Sequence, residues 1–288
     1  MSERIEICGM LIDNVSMSET VNRIKSFIRK KEPRMVITPN VDHVMKFQRN
    51  EAFRDVYRQA ALVLADGMPL LWAARYLKTP LKEKVSGSDL FPLLCRVSAE
   101  KGYKVFFMGG RAGAADKAAE LLSSRYPGLQ IAGICCPPMG FEHDEEENRH
   151  VIECIKKARP DIVFVGLGAP KQEFWIHRYK KEYGAPVSIG IGVSFEFTAG
   201  MVKRAPVWMQ HAGLEWSWRI LMEPKRMWRR YLLEDTGFFL LIYKQKTKRF
   251  GDIPGESRQP VTFDSPFTGS AKTQGSNGNA VISHHTFL

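Results

Sequence analysis

Met35-Val36-Ile37-Thr38-Pro39-Asn40 and Leu62-Val63-Leu64-Ala65-Asp66-Gly67-Met68-Pro69 are two apolar runs that each end in a polar turn. Short apolar runs followed by helix-like segments are typical of buried strands in a parallel sheet. In open α/β sheets, ligands bind outside the carboxyl ends of the strands. We therefore expect Thr38, Asn40 and Asp66 on one rim, where the carboxylate of Asp66 can act as a general base. The alternative is that Asn40 and Asp66 only cap the helices that follow them.

The rest of the first 200 residues alternates between strand-like and helix-like segments. A strand is predicted over 5–12, and a helix capped by Ser16 or Ser18 continues to about residue 29. Further strands are predicted at 105–108, 129–134, 161–165 and 187–192. This alternation predicts an α/β protein with a doubly wound, mainly parallel sheet.

The composition is that of a globular protein with an excess of positive charge. The 288 residues carry a formal net charge of +11, which favours an anionic partner: a nucleic acid, a phosphorylated substrate or an acidic membrane surface. The N-terminus has no apolar signal-peptide core, and no run approaches the roughly 20 apolar residues of a membrane span. Five cysteines without C-x-x-C spacing argue against a disulfide framework or zinc site, so we expect a reduced cytoplasmic setting.

A glycine-rich turn, Gly109-Gly110-Arg111-Ala112-Gly113, joins a predicted strand to an Ala-rich helix. Backbone amides at the start of such a helix suit a phosphate or diphosphate, so Gly109 and Gly110 are candidate substrate-binding residues. The spacing matches neither G-x-G-x-x-G nor a P-loop. The alternative is that the glycines serve only to fit a tight turn.

Two further segments place polar side chains at the predicted rim. Gly166-Leu167-Gly168-Ala169-Pro170-Lys171-Gln172-Glu173 opens a helix, where Gln172 could bind sugar hydroxyls or a uracil edge. The alternative is a capped, solvated helix start. Glu196 is a second candidate carboxylate, which could orient a ligand or pair with a nearby arginine, and Arg204 follows it.

The motifs of metal-dependent and nucleophilic enzymes are missing from the sequence. There is no Asp-x-Asp pair to hold a divalent metal on a nucleotide diphosphate, no HExxH, no G-x-S-x-G and no paired Cys/His set. We therefore predict no metal site and no cofactor. If a phosphate leaving group departs here, basic side chains must neutralise it.

The C-terminal part of the chain is aromatic and basic. Residues 219–249 hold nine basic residues against three acidic ones, with an apolar run at 238–243. This mixture suits a helix on an anionic bilayer, and the apolar run favours a membrane over nucleic acid. A helix packed on the core with a charged outer face is the remaining alternative. We predict an α/β core over 1–205, a basic membrane-proximal helical appendage over 206–250 and a disordered tail over 251–288.

Together these motifs resemble one family, the WecG/TagA/CpsF bacterial glycosyltransferases, also called glycosyltransferase family 26. The resemblance covers roughly residues 6–245. The residues that carry it are Thr38-Pro39-Asn40, Ala65-Asp66-Gly67-Met68-Pro69, Val85-Ser86-Gly87-Ser88-Asp89-Leu90, Phe107-Met108-Gly109-Gly110, Tyr126-Pro127-Gly128, Gly166-Leu167-Gly168-Ala169-Pro170-Lys171-Gln172-Glu173, Ala199-Gly200, Arg204-Ala205-Pro206, Gly213-Leu214-Glu215-Trp216, Arg219, Glu223-Pro224-Lys225-Arg226 and Arg230-Tyr231.

The resemblance implies an inverting, metal-independent transferase with a Rossmann-like core. Such enzymes move a hexose or N-acetylhexosamine from a UDP-sugar onto an undecaprenyl-diphosphate-linked sugar, for cell-surface polysaccharide or teichoic-acid-type polymers. N-acetylmannosamine is the family's best-known donor sugar. They work at the cytoplasmic face of the membrane as peripheral proteins, and we expect activity to depend on the membrane or on a homo-oligomeric state.

The resemblance also implies roles for individual residues. The family's catalytic aspartate falls on Asp66. The residues that position the sugars fall on Thr38, Asn40 and Gln172, and the appendage arginines fall near Arg219, Arg226 and Arg230. Lys84 stands where the family usually has Arg, and a Lys cannot make the bidentate Arg contact to a diphosphate. Glu196 stands where the family often has Asp, which bears on the sugar that is accepted.

A second hypothesis is a non-catalytic protein that binds nucleotides or nucleic acid through the same rim and the basic C-terminus. A steep dependence of oligonucleotide binding on salt would favour this hypothesis.

Overall fold

In the computed structural model, which describes residues 3–222, 224 and 236–247, the chain begins with an antiparallel hairpin. Its strands are β1 (Arg4–Ile7) and β2 (Met10–Asp13). The single strand predicted over 5–12 is therefore wrong. The chain reverses at Cys8 and Gly9, which both adopt the left-handed region with φ of 50° and 77°.

A six-stranded parallel sheet forms the centre of the protein. In space its order is β4-β3-β8-β7-β5-β6, and every pairing within it is parallel. This arrangement, with helices on both faces, confirms the predicted α/β class and its Rossmann-like, doubly wound sheet. The strands are β3 (Arg34–Ile37), β4 (Leu62–Val63), β5 (Lys104–Gly109), β6 (Gln130–Cys135), β7 (Ile162–Gly166) and β8 (Val187–Gly190).

The described helices pack on the two faces of this sheet, and a 3₁₀ turn at Phe141–His143 precedes the seventh of them. They are α1 (Met17–Lys30), α2 (Val41–Arg49), α3 (Glu51–Arg58), α4 (Met68–Tyr76), α5 (Gly87–Lys101), α6 (Ala114–Arg125), α7 (Glu145–Ala158), α8 (Lys171–Tyr183), α9 (Ser194–Thr198), α10 (Val207–His211), α11 (Glu215–Met222) and α12 (Gly237–Lys246). Helices α1, α5, α6 and α9 share one apolar cluster, whereas the hairpin and helices α2, α3, α4, α7, α8 and α12 share the other.

Alternating side chains of each central strand divide between these two clusters. In β5, Phe106 and Met108 belong to the hairpin side, while Val105 and Phe107 belong to the α1 side. This follows from the two-residue period of a strand. Because both faces are covered, the strands read as continuous apolar runs in the sequence.

Backbone hydrogen bonds bring the carboxyl ends of β3, β4 and β8 together. The Asp66 amide donates to the Pro39 carbonyl at 2.8 Å, beyond the last paired residues of β3 and β4. On the other side of β3, the Thr38 hydroxyl donates to the Gly190 carbonyl at 3.1 Å. The predicted rim is therefore one continuous edge.

The last described helix, α12, packs back on the start of the chain. Phe238 and Ile242 are buried in the hairpin-side cluster, and the Gln245 side chain bonds the Cys8 amide and the Glu6 carbonyl. Among the described residues, no helix has the length and apolar character that crossing a membrane requires. The division into 1–205, 206–250 and 251–288 stays a prediction, since residues 225–235 and 248–288 lie outside the described part.

Asp13 ties the hairpin to the central sheet, so its replacement should destabilise the protein. Its buried carboxylate accepts from the Val63 amide at 2.9 Å and pairs with Arg4 and Arg23. Asp13→Ala leaves that amide unpaired, and we expect a loss of about 2–3 kcal/mol in the free energy of unfolding, measured by urea denaturation. Asp13→Asn keeps an acceptor and should lose clearly less. Equal losses in the two variants would contradict this role.

Candidate active site

Asp66 lies at the end of a segment that backbone bonds hold in place. The carbonyl of Ala65 accepts from the Val85 amide at 2.8 Å, in addition to the Asp66–Pro39 bond. Gly67, with φ of 119°, then turns the chain into α4. No side chain caps α4, and the Asp66 carboxylate instead accepts from the Gly87 amide at 3.4 Å. Capping therefore does not explain Asp66.

The environment of Asp66 makes its carboxyl a weaker acid than usual. Burial raises the pKa of Asp66 to about 6, and the nearby charge of Glu215 acts in the same direction. Arg219, the Gly87 amide and Lys84 lower the pKa and only partly offset these effects. The Asp66 carboxyl is therefore mostly ionised at pH 7, and its pKa lies only about one unit below that pH.

Asn40 follows β3 and begins α2 as its N-cap. Its side-chain oxygen accepts from the His43 amide at 3.3 Å and lies 2.9 Å from His43 Nδ1. The capping interpretation thus holds for Asn40. It does not exclude a second role, because Asn40 also lines the cleft that contains Asp66.

Asp66 lies in an open cleft with a volume of about 100 Å³. The loops after β3 and β4 form one side, the start of α5 forms another, and α11 forms the wall facing them. Arg204 and Arg219 are the two described basic side chains that line it. The lining residues are Asn40, Val41, Asp42, Asp66, Gly67, Met68, Pro69, Ser86, Ser88, Arg204, Gly213, Glu215, Trp216 and Arg219.

Two basic and two acidic side chains alternate in a cluster at the cleft, in which Arg204 and Glu215 line the cleft and Lys84 and Asp89 lie behind them. Arg204 bonds Asp89 at 2.6 Å and lies 3.5 Å from Glu215. Lys84 lies 3.8 Å from Asp89 and 3.6 Å from Glu215. Burial alone would raise the pKa of Asp89, but bonds from Arg204 and Ser86 hold it below its usual range. The cleft therefore contains cations whose charge is already balanced by carboxylates.

Arg219 of α11 also lines the cleft. Its guanidinium lies 5.5 Å from the centre of the Phe197 ring in a cation–π contact. The charge of Arg219 acts on Asp66, since it lowers the pKa of that carboxyl. The other appendage arginines predicted for the site, Arg226 and Arg230, lie outside the described residues.

Thr38 and Gln172 are buried below this edge and bond to the backbone of the loop after β8. The Thr38 hydroxyl donates to Gly190, and the Gln172 carbonyl oxygen accepts from the Gly192 amide at 3.0 Å. A side chain at Gly190 would come within 2.6 Å of Gln172. Both residues fix the end of β8, and contact with a sugar stays a prediction for them.

A buried carboxylate joins the Gln172 side of the edge to the Asn40 side. Glu173 Oε1 accepts from Gln172 Nε2 at 2.7 Å and lies 3.4 Å from His43 Nε2. His43 in turn contacts the Asn40 side chain through Nδ1. Glu173 thus links the two predicted sugar-positioning residues, Gln172 and Asn40.

The glycine turn after β5 lies beside Glu196. Glu196 Oε1 accepts from the Arg111 amide at 2.9 Å, while Oε2 is buried without a hydrogen-bond partner among the described residues. A Cβ on Gly109 would lie 2.8 Å from Leu167, and one on Gly110 would lie 3.2 Å from Phe195. Both glycines also have a positive φ, of 88° and 87°, so a tight turn is enough to explain them, and a phosphate there stays a prediction. Helix α9 reaches the Asp66 cleft through Ser194, whose hydroxyl lies 3.4 Å from that of Ser88.

The structure adds residues that sequence reasoning gave no role. Glu215 acts on Asp66, Lys84 and Arg204 together, and Trp216 lies beside it in the cleft wall. Both belong to the quoted stretch Gly213-Leu214-Glu215-Trp216, which was the available signal. His43 and Glu173 each lie within three residues of a predicted site residue. The contact between His43 and Glu173 joins segments 130 residues apart, so local sequence patterns do not predict it.

Comparison with known proteins gives a family match over nearly all the described residues. A model of the glycosyl transferase WecG/TagA/CpsF family matches residues 5–251. Similar proteins from Staphylococcus aureus strains MW2, NCTC 8325 / PS 47 and COL are 32%, 31% and 31% identical over 248 residues. Each match covers 85% of this chain and 95% of the relative. All three are named N-acetylglucosaminyldiphosphoundecaprenol N-acetyl-beta-D-mannosaminyltransferase.

The raised pKa of Asp66 should reduce the stability of the folded protein at neutral pH. An unfolded Asp has a pKa of about 3.9, so between about pH 4 and pH 6 the folded state binds more protons and stability falls as the pH rises. Asp66→Asn cannot ionise but can still accept from Gly87. We expect this variant to be more stable than the wild type at pH 7 by about 1–3 kcal/mol, with a smaller difference at pH 4.5.

Urea denaturation at both pH values measures this difference. Asp55→Asn is the matched control, because Asp55 is an exposed carboxylate paired with Arg58 at the surface. It should change stability by about 0.5 kcal/mol or less at either pH. A destabilised Asp66→Asn, or a gain that does not depend on pH, would contradict the described environment of Asp66.

Proposed function

This chain belongs to the WecG/TagA/CpsF family and is a glycosyltransferase, and from that premise we propose its reaction. It transfers a hexose or N-acetylhexosamine from a UDP-sugar to an undecaprenyl-diphosphate-linked sugar, in cell-surface polysaccharide or teichoic-acid-type biosynthesis. N-acetylmannosamine and lipid-linked N-acetylglucosamine are the first sugars to test, because the relatives carry those sugars in their name. The family match displaces the hypothesis of a non-catalytic binder.

The observation that carries the proposal is the carboxylate of Asp66 in the cleft. A general base works best when its pKa lies near the working pH, and the pKa of Asp66 is raised to about 6. Asp66 accepts the proton of an acceptor hydroxyl as that oxygen forms a bond to the anomeric carbon of the donor. The bond from that carbon to the UDP oxygen breaks, and its electron pair leaves with UDP.

We propose that this single displacement inverts the anomeric carbon. The relatives' name specifies a beta-linked mannosaminyl product, which an α-linked UDP-sugar gives in one in-line step. The proposed independence from metal is supported by the lack of an Asp-x-Asp pair. In the described part of the chain, no group of three or more His, Cys, Asp or Glu side chains is placed to hold an ion.

Basic side chains take the place of a metal at the leaving diphosphate in this proposal. Lys84, Arg204 and Arg219 supply positive charge at the cleft, and Arg226 and Arg230 are assigned the same task from the family resemblance. Glu215 and Asp89 now hold Lys84 and Arg204. A diphosphate that enters therefore competes with these carboxylates for Lys84 and Arg204, and any carboxylate that it displaces must find water or another donor.

The remaining predicted residues are assigned to the sugars and to the nucleotide. Asn40 is assigned to an acceptor sugar, and its position in the cleft with Asp66 supports that assignment. Thr38 and Gln172 act through the loop after β8, which they hold. The turn at 109–110 and the unpaired oxygen of Glu196 are assigned to the donor, since a carboxylate can accept from sugar hydroxyls.

We also propose that the protein works as a peripheral protein on the inner face of the membrane. Nine of the fourteen exposed large hydrophobic side chains in the described part lie between residues 201 and 243. The sequence of 219–249 also holds nine basic residues against three acidic ones, and apolar and basic residues together suit anionic lipid. The nine hydrophobic side chains are Met201, Val207, Trp208, Trp216, Leu221, Met222, Phe239, Leu240 and Tyr243.

Release of UDP tests the reaction directly. We expect one donor in a panel of UDP-sugars to give UDP only when a prenyl-diphosphate-linked N-acetylglucosamine acceptor is added, with the same rate in EDTA. Loss of activity in EDTA would overturn the metal independence. No release from any donor, with or without anionic liposomes, would overturn the proposed substrates.

The pH dependence tests the role of Asp66. Because the base must be ionised, kcat/KM should rise with pH through about 6 and stay level above it. Asp66→Asn should lower the rate by about 10²–10⁴-fold.

Two further variants should shift the acidic side of the profile of kcat/KM against pH. Glu215→Gln should move it to lower pH, and Arg219→Gln should move it to higher pH, because their charges act on the pKa of Asp66 in opposite directions. Full activity of Asp66→Asn would rule out Asp66 as the base. So would a pH profile of kcat/KM that neither Glu215→Gln nor Arg219→Gln shifts.

A further inference from the structure

A second concave surface, which we call the aromatic groove, lies between α4 and α12. Its volume is about 290 Å³, and its residues are all apolar or aromatic. Ala73, Phe238 and Ile242 are buried and form its floor. Its walls are Trp72 and Tyr76 on α4 and Phe239 and Tyr243 on α12, which are exposed by 40%, 51%, 63% and 55%.

The aromatic groove is a built feature, since several bonds hold α12 in place. Gln245 accepts from the Cys8 amide at 2.8 Å and donates to the Glu6 carbonyl at 3.1 Å. Lys246 donates to the Tyr76 carbonyl at 2.9 Å and lies 5.4 Å from the centre of its ring. The two helices are therefore joined at the end of the groove that is far from Asp66.

The other end of the aromatic groove adjoins the Asp66 cleft. Helix α4 begins two residues after Asp66, and Pro69 lines both the cleft and the groove. Trp72 packs on Gly213 of the cleft wall, because a side chain at Gly213 would come within 2.5 Å of its indole ring. A ligand whose head lies beside Asp66 would therefore reach the groove by passing over Pro69 and Trp72.

We propose that the aromatic groove binds the first isoprene units of the acceptor's prenyl chain, an inference that rests on the proposed function. The walls consist of two aromatic pairs at i,i+4 spacing, Trp72 with Tyr76 and Phe239 with Tyr243, so each pair forms a row along its helix. Two facing rows suit a chain of repeated, methyl-branched, apolar units. Lys246 and Lys244 at the far end place positive charge where the chain would leave for an anionic bilayer.

Continuity with the cleft favours the prenyl chain over an ordinary lipid acyl chain. A phospholipid in the groove would have to place its headgroup either in the sugar cleft or at the Lys246 end. The acceptor has its sugar, diphosphate and prenyl parts in the order in which Asp66, Pro69 and Tyr76 occur along this surface. Burial of an apolar chain in the aromatic groove would also raise the affinity for the acceptor through the hydrophobic effect.

The test compares a groove variant with a variant of the same helix that lies outside the groove. Phe239→Ser with Tyr243→Ser changes two exposed wall residues and leaves the buried floor intact. Leu240→Ser is the matched control, because Leu240 is exposed on α12 but does not line the groove. Both variants should unfold at the same temperature as the wild type, and both should bind anionic liposomes less tightly.

Turnover is measured in detergent with two acceptors that differ only in the tail, a prenyl chain or a straight octyl chain. We expect the wild type and Leu240→Ser to prefer the prenyl acceptor, and the groove variant to lose at least 10-fold of that preference through the acceptor KM. The KM for the UDP-sugar should not change. A groove variant that keeps the preference would overturn the proposal.

Photolabelling tests the aromatic groove without turnover. A farnesyl diphosphate that carries a benzophenone should label peptides of α4 or α12, and unlabelled farnesyl diphosphate should compete. Labelling elsewhere, or equal competition by a phospholipid, would overturn the proposal. Labelling of the groove with no transfer from any donor would support the groove and reject the proposed reaction. Transfer with no labelling of the groove would support the proposed reaction and reject the groove as the site of the prenyl chain.

Discussion

The site is organised around one partly buried carboxylate that the fold holds away from bulk water. The backbone of Asp66 is held in place, because the peptide group that joins it to Ala65 donates to the Pro39 carbonyl and accepts from the Val85 amide. Its charge must therefore be met by the groups around it. The Gly87 amide, Lys84 and Arg219 favour its ionised form, whereas burial and Glu215 oppose it. These opposed effects leave a carboxyl that is ionised at neutral pH and can still take up a proton.

Glu215 gives the cleft a charge balance that a binding site for a diphosphate alone would not need. It lies near both Lys84 and Arg204 and also raises the pKa of Asp66. Because Glu215 is the first residue of α11, the position of this helix affects both the pKa of Asp66 and the contacts of Lys84 and Arg204. The chemistry of the core and the placement of the C-terminal helices are thus linked through one side chain.

The sequence was sufficient for the sheet and for the residues at its edge, but less so for their roles. The apolar runs before Thr38 and Asp66 predicted neighbouring strands because both faces of a parallel sheet are buried. The reversal at Cys8 and Gly9 was missed, since a Cys in the left-handed region leaves no clear sequence signal. Gln172 was predicted at the rim but is buried, with both ends of its amide bonded within the protein. The contacts of Glu173 with His43 and of Glu215 with Lys84 join distant segments, which local patterns do not reveal. The aromatic groove likewise needs α4 and α12 together, although they lie more than 150 residues apart in the chain.

The carboxylate of Glu173 has a consequence for how this enzyme could change over evolution. One oxygen of that side chain is shared between Gln172 and His43, and His43 in turn contacts Asn40. A replacement at either end alters the hydrogen-bond partners left for the other, so the effects of two such replacements should not simply add. Under the sugar-positioning roles proposed for Asn40 and Gln172, a lineage that acquires a new sugar preference has to replace residues on both strand ends in a compatible order. Some routes between sugar specificities would be closed even where each final sequence is functional.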